Sequence, residues 1–294
     1  MEFFLQVLIN GISLGVLYAM AAIGFVMIYR TSLVLNFAHG GLMAMGAFIF
    51  LALSSWGRLP NLFSFVLTLA GAFAIGLLIE KSFHRSIMES KPIHGAILTI
   101  GLALIFKSIF TFLSGMNLPG YSAQFYEALS VTWGTVSIPA SSVTVFIFSV
   151  FFFVLFGLFL KNSSLGITMR STTENRAAAL ALGVPVKRVL ALSWAIAAMF
   201  CAIAGIALGM VSNASIQELG FIGLKVFPVV VLGGLNSIGG AILGGILIGV
   251  LEALTKGYIS ASFGEIVPYV ALFLMIALKP GGFFGTAEIK RSWQ

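Results

Sequence analysis

Gly11-Ile12-Ser13-Leu14-Gly15 has the Gly-x-Ser-x-Gly spacing of a nucleophile elbow, which exposes a serine at a strained strand-to-helix turn. The pentapeptide lies instead inside the charge-free run 3–29, where a helix is expected. On a helix, Gly11 and Gly15 share one face and let a second helix approach closely. Packing is the favoured reading; an intramembrane serine hydrolase built on Ser13 and His39 is the remote alternative. His84 and His94 fall at the edge of a basic connection, no His-Glu-x-x-His pattern occurs, and Cys201 has no cysteine to pair with. No metal site is expected. No lysine follows a glycine anywhere, so the phosphate-binding loop Gly-x-x-x-x-Gly-Lys-Ser/Thr is absent. The chain is expected to be no enzyme and to hold no cofactor; any ATP and Mg²⁺ would be bound by partner subunits.

Polar groups inside apolar runs form the second set of candidates. Asn36-Phe37-Ala38-His39-Gly40-Gly41 places an amide, an imidazole and a glycine pair in the charge-free stretch 31–57. Such groups are costly at membrane depth unless a cavity or a broken helix satisfies them. Asn236-Ser237-Ile238-Gly239-Gly240 repeats the pattern later in the chain. Two related breaks point to a pseudo-repeat with a path near its interface, so Asn36, His39, Gly40, Gly41, Asn236, Gly239 and Gly240 are candidates for the path. The competing reading makes each amide a helix cap. Lys107 and Lys225 are intramembrane charges and candidates by type; Lys225 has snorkelling as its alternative. Glu252 and Lys256, four apart, are expected to pair. Carboxylates or histidines in series, as a proton relay needs, are missing, which argues against an ion-driven transporter.

The third candidate is the connection 161–188, where Lys161, Arg170, Arg176, Lys187 and Arg188 face Glu174 as the only acid. Thr172 or Thr173 is placed to cap a short helix with Glu174 near its positive end. Alanines propagate it, and Gly183 and Pro185 end it near 183. A lipid anchor would want bulky apolar residues opposite the charges. This segment offers alanine and glycine, which suit docking on a protein.

These candidates are carried by a chain of 294 residues that is 60% hydrophobic and only 9% charged. A soluble surface needs far more charge, about 25% of residues, so a polytopic integral membrane protein of the all-α class is expected. Runs 3–29, 31–57, 59–79, 128–160, 189–217 and 226–251 carry no charge, and each can cross a core of about 30 Å as a helix. Spans are placed at 4–28, 33–53, 62–80, 93–113, 140–160, 189–212, 236–256 and 264–280. The piece 223–234, with Pro228 inside and Gly233-Gly234 at its end, is about 18 Å long as a helix and reads as a re-entrant or broken segment. About eight or nine spans in one domain, 1–294, result. Small residues four apart, as in Gly205/Gly209, Gly240/Gly244 and Gly245/Gly249, mark tight helix packing. The first run lacks a cleavage site and is expected to be retained as a span.

Net charge is +7, which in so apolar a chain reflects loop lysines and arginines rather than nucleic-acid binding. They concentrate in 81–92, 161–188 and the tail, whereas 114–139 and 213–222 hold only Glu127 and Glu218. The former should lie in the cytoplasm, with the N-terminus outside and the C-terminus inside. Arg58 and Lys256 depart from the pattern.

At 161–188 the chain resembles the permease subunits of bacterial ABC importers, whose cytoplasmic Glu-Ala-Ala-type loop docks on an ATPase. Glu174, Ala178, Ala179 and Gly183 answer to that loop; Asn175 and Arg176 intervene and lengthen its spacing. Asn36-Phe37-Ala38-His39-Gly40, the run Val231–Gly240 and the tail Lys279–Gly285 are similar to the branched-chain amino acid permeases of the hydrophobic amino acid uptake group. The resemblance implies an inner-membrane permease with a homologous second permease, two cytoplasmic ATPases and a periplasmic or lipid-anchored substrate-binding protein. It implies hydrophobic amino acids as cargo, with urea or a short amide as the alternative.

Overall fold

Three helices begin at a proline: Pro60 and Pro139 immediately precede two of them and Pro92 opens a third. A helix start has no use for the N–H that proline lacks. Ser237 and Ser260 cap two more, accepting from Gly240 N–H at 3.0 Å and Phe263 N–H at 3.2 Å. The computed structural model describes residues 2–84, 92–113, 130–133, 136–174, 176–212 and 216–285.

Within these, the chain runs α1 (Glu2–Ser32), α2 (His39–Leu51) with a π turn at Ala52–Trp56, α3 (Asn61–Ile79) with a π turn at Glu80–His84, and α4 (Pro92–Leu113). A two-stranded hairpin follows, β1 (Ser130–Trp133) against β2 (Val136–Pro139), with Ser130 opposite Pro139. Then come α5 (Ala140–Asn162), α6 (Ser164–Glu174), α7 (Arg176–Ala181), α8 (Val186–Ser212) and α9 (Ile216–Ile222). A 3-10 turn, Gly223–Lys225, leads into α10 (Val226–Gly233), and α11 (Ile238–Tyr258) and α12 (Ala261–Leu278) complete the order. Eight helices are long and apolar enough to cross a membrane. The protein is a helical, polytopic membrane protein, and its one described hairpin lies outside the spans.

The centre is built from α1 and α8, which are buried along most of their length. α4, α5 and α12 instead turn apolar side chains outward: Phe112 is 77% exposed and Phe273 73%. Helices apolar on every face are stable in this arrangement only where lipid or another protein covers them. Small residues set the closest contacts. A Cβ on Gly15 would stand 2.6 Å from Ile246 Cα, and one on Gly11 2.8 Å from Val250 Cα, so α1 and α11 touch backbone to backbone in antiparallel sense. The helical, packing reading of Gly11 and Gly15 therefore holds.

Two placements differ from the sequence reading. Residues 33–38 are not helical, so this segment starts as irregular chain with a turn at 37–38 and becomes helix only at His39. Residues 216–222, read as part of a connection, are helical. With the 3-10 turn and α10 they form one bent rod over 216–233, roughly 27 Å long at 1.5 Å per residue. The segment 223–234, read as re-entrant or broken, is the later part of this rod and its end at Gly233-Gly234.

Candidate functional site

The first break is held open by its neighbours. Leu33 takes a positive φ of 57°, which turns the chain back beside α4. There the Thr99 hydroxyl lies 2.9 Å from the Leu35 carbonyl and accepts from Phe37 N–H at 3.2 Å. Asn36 Oδ1 accepts from Ala38 N–H at 3.0 Å and closes the turn into α2. Its Nδ2 has no hydrogen-bond partner among the described residues. His39 is buried, its Nδ1 3.4 Å from Cys201 Sγ and its ring edge-on to Phe25 at 5.6 Å. Cys201 is thus a polar neighbour of His39 as well as a small core residue.

The two broken crossings meet at glycines. A Cβ on Gly40 would run into the Gly220 carbonyl, and one on Gly223 into Gly40 Cα. No other residue type permits that approach. Asn236, Gly239 and Gly240 lie elsewhere. Ser237, rather than Asn236, caps α11, and Gly240 packs on Gly233. The tail folds back on this turn: Phe283 N–H donates to Leu232 O at 2.9 Å and Phe284 N–H to Gly233 O at 3.1 Å. The Gly233–Gly240 contact is roughly 15 Å along the 223–233 axis from the Gly40–Gly223 contact. The first break is partnered by 220–223 and the second by 282–285.

Ser13 and His39 do not form a hydrolytic pair. His39 Cε1 lies beside Gly24, at 3.4 Å from where its Cβ would be, and Ser13 is eleven residues away on the same helix, roughly 16 Å.

Four charged side chains and a tyrosine meet in one cluster. Lys225 Nζ is 2.8 Å from Glu252 Oε1 and 2.5 Å from Glu265 Oε2. Lys256 Nζ is 2.8 Å from Glu252 Oε1 and 2.6 Å from Glu265 Oε1. Tyr18 donates to Glu252 Oε2 at 2.9 Å. Glu252 and Lys256 pair as their spacing predicts. Lys225 does not snorkel; it is 7% exposed and turned into this cluster. Glu265 and Tyr18 carried no sequence signal, because their partners come from other helices.

A cavity of about 290 Å³ opens where the two broken crossings meet α4. Phe37 and Gly41 come from the first, Phe221 and Leu224 from the second, and Lys107, Phe110 and Thr111 from α4. Of the candidate path residues, Gly41 lines this cavity, whereas Asn36 and His39 are buried behind it, 1% and 2% exposed.

The 161–188 connection is helical earlier than expected. Ser163, not Thr172 or Thr173, caps α6, accepting from Gly166 N–H at 2.9 Å. Thr172 is interior to α6 and bonds back to Thr168 O at 2.7 Å. The single helix expected over 172–183 is instead the end of α6 plus α7. Asn175 lies outside the described residues, and Arg176 is described only as the first residue of α7. Glu174 and Ala178 are exposed and Ala179 is buried. Gly183 has φ +80°, and Val184 N–H reaches Ala179 O at 2.9 Å, the left-handed helix end its sequence predicted. Arg30 Nη2 lies 3.4 Å from Thr173 Oγ1, joining the end of α1 to this segment.

A family model described as the branched-chain amino acid transport system / permease component matches residues 7–278. The chain belongs to this permease family. It is 30% identical to the high-affinity branched-chain amino acid transport system permease protein LivH of Salmonella typhimurium, over 98% of each chain. It is 31% identical to BraD of Pseudomonas aeruginosa, named as a permease protein of the same kind of system, again over 98% of each chain. A LivH-named protein of Methanocaldococcus jannaschii is 25% identical over 92% of this chain and 89% of its own. Among solved structures, PsaBC from Streptococcus pneumoniae in complex with Fab aligns with 97% of this chain and 94% of its own, at TM-score 0.53 and 13% identity. That likeness concerns the fold. In this permease the motifs of the resemblance have structural partners: Asn36–Gly41 meets 220–223, and the 231–240 run carries the 279–285 tail.

Proposed function

We propose that this permease is one half of the pore of an ATP-driven importer that carries branched-chain and other hydrophobic amino acids into a bacterial cell. The observation that carries the reading is the match to LivH and BraD, proteins named for this transport, along 98% of each chain. The whole chain acts as a single permease domain in the inner membrane, beside a second homologous permease and membrane lipid. Two cytoplasmic ATPases supply the nucleotide chemistry, and a periplasmic or lipid-anchored binding protein delivers the solute. No nucleic acid is involved.

Geometry supports the coupling role of 161–188. Leu180 and Leu182 are 55% and 84% exposed on the same connection as the exposed Glu174 and Ala178, which offers apolar and acidic groups to a partner. Parity supports the orientation. Among the described residues, eight long helices and the 216–233 rod would make nine crossings, an odd number that sets the termini on opposite faces, and the lysine and arginine pattern favours the cytoplasm for the C-terminal one.

The test is uptake by proteoliposomes holding this permease, its partner permease and both ATPases, with the binding protein outside. Radiolabelled leucine should accumulate only with ATP inside. Accumulation of urea in place of leucine would move the cargo to the amide alternative; accumulation without ATP would overturn the importer.

A further inference from the structure

We propose that the cavity beside Lys107 is a way-station for the solute, with the Lys107 ammonium receiving a carboxylate and Phe37, Phe110 and Phe221 receiving a branched apolar chain. The inference rests on the importer reading and adds to it where, and by which groups, the solute is held within the permease.

The contrast between the two candidate lysines carries the argument: Lys225 is buried, whereas Lys107 is exposed at the mouth of the cavity. Lys225 is neutralised by Glu252 and Glu265 at 2.8 and 2.5 Å. Lys107 is fifteen residues into the 22-residue apolar helix α4 and has no carboxylate within salt-bridge distance among the described residues. Its described neighbour is the face of Phe221, with Nζ 6.0 Å from the ring centroid. A cation–π contact of this kind is worth only about 0.5–1 kcal/mol at an exposed site. An anionic group entering the cavity would give the ammonium the counter-ion that no described carboxylate supplies.

Shape narrows the anion. At about 290 Å³ the cavity sits at the bottom of the usual ligand-site range, so it suits one amino acid and not a peptide. Its walls are aromatic and aliphatic, and Thr111, one turn beyond Lys107 on the same face, is a second polar group in it. Its position is equally telling. The walls come from both broken crossings, and discontinuous helices are where transporters expose groups to a solute without exposing them to lipid. The cavity lies on the side of the 213–222 connection, the side that the lysine and arginine pattern assigns to the exterior.

The experiment uses the full transporter in vesicles, with Thr111→Cys in a Cys201→Ala background and a maleimide as probe. Saturating L-leucine should slow labelling, while isopentylamine, the same chain without the carboxylate, should not. Lys107→Met should raise the leucine concentration needed for protection about tenfold, the change that 1.4 kcal/mol of lost binding gives, and Lys107→Arg should restore it. Leucine uptake without leucine protection overturns the way-station and leaves the importer standing. Protection that survives Lys107→Met also overturns it. So does protection that appears only in vesicles containing phosphatidylglycerol and needs no leucine, which would assign the cavity to a lipid phosphate. If no hydrophobic amino acid is taken up at all, the importer reading falls and takes the way-station with it.

Discussion

Lys225 and Glu252 are 27 residues apart in sequence, yet their charged groups meet at 2.8 Å in the interior of the bundle. Lys225 ends the 3-10 turn of the broken crossing, and Glu252 is on α11, which packs along α1. The pair therefore ties the 3-10 turn at 223–225 to the closely packed α1 and α11. Glu252 accepts from Lys225, Lys256 and Tyr18 together, so its carboxylate is the centre of the cluster.

Removing that centre should be severe. Glu252→Ala leaves two ammonium groups with only the half-exposed Glu265, and breaking a buried pair costs about 3–5 kcal/mol. Tyr18→Phe removes one hydrogen bond to a charged acceptor, about 1.5–3 kcal/mol at most. In thermal unfolding of the detergent-solubilised permease, Glu252→Ala should show the larger fall. Lys225→Met combined with Glu252→Leu should recover much of the loss, because an apolar replacement leaves no charge stranded. A double variant less stable than either single one would show that the cluster is not the unit described.

Gly223→Ala should separate the two broken crossings. Its Cβ has no room beside Gly40 Cα, and both are backbone positions that cannot rotate away. Gly220→Ala is the internal control, since a Cβ there meets nothing within 4 Å and alanine is the better helix former by about 1 kcal/mol. The expected result is normal membrane yield for Gly220→Ala, whose site lines the cavity and which is therefore judged by yield alone, and loss of yield for Gly223→Ala. Equal behaviour of the two variants would contradict the close approach.

The orientation is tested by impermeant thiol reagents. Ser122→Cys and Thr173→Cys, each in a Cys201→Ala background, should label from opposite sides of the membrane. Ser122 belongs to the 114–139 connection, placed outside by its lack of lysine and arginine, and Thr173 to the basic 161–188 segment. Labelling of both from the cell exterior would sink the topology. Cys201→Ala removes the sulfur beside His39, so uptake by the cysteine-free parent is the reference for each variant.

Charge-free runs made most spans legible. The expected 62–80, 140–160 and 189–212 correspond to Asn61–Ile79, Ala140–Asn162 and Val186–Ser212. Residues 33–38 misled because Leu33, Val34 and Leu35 are as apolar as a helix. What keeps them out of a helix is the Thr99 hydroxyl more than sixty residues away, and no local pattern records it. The cap of α6 was misplaced for a related reason. Ser163, Thr172 and Thr173 are equally good acceptors, and the sharp exit of α5 at Ser163, with ψ 146°, selects the first. The glycine motifs announced close contact but not their partners. Asn36–Gly41 and 236–240 look alike in sequence, yet each is matched to a different segment.

The coupling segment gives the last prediction. Gly183 sits at φ +80° with nothing within 4 Å of a would-be Cβ, so a larger side chain has space but the wrong backbone. A β-branched residue in that conformation is strained by about 1–2 kcal/mol, and it relieves the strain by unwinding the turn that ends α7. Leu180 and Leu182, which lead into this turn, would then shift from where the proposed ATPase partner would meet them. Glu174 is exposed at the end of α6, with the sole acidic charge of the 161–188 connection. Gly183→Val and Glu174→Lys should therefore leave the spans inserted while ATPase copurification and substrate-stimulated ATP hydrolysis fall together with uptake. Gly183→Asn, which tolerates the left-handed region, should retain most coupling. An anchor on lipid predicts the reverse, with ATPases still bound and only vesicle binding by the segment altered. Normal copurification and normal uptake in both damaging variants would remove α6–α7 as the route by which ATP-driven motion enters the permease.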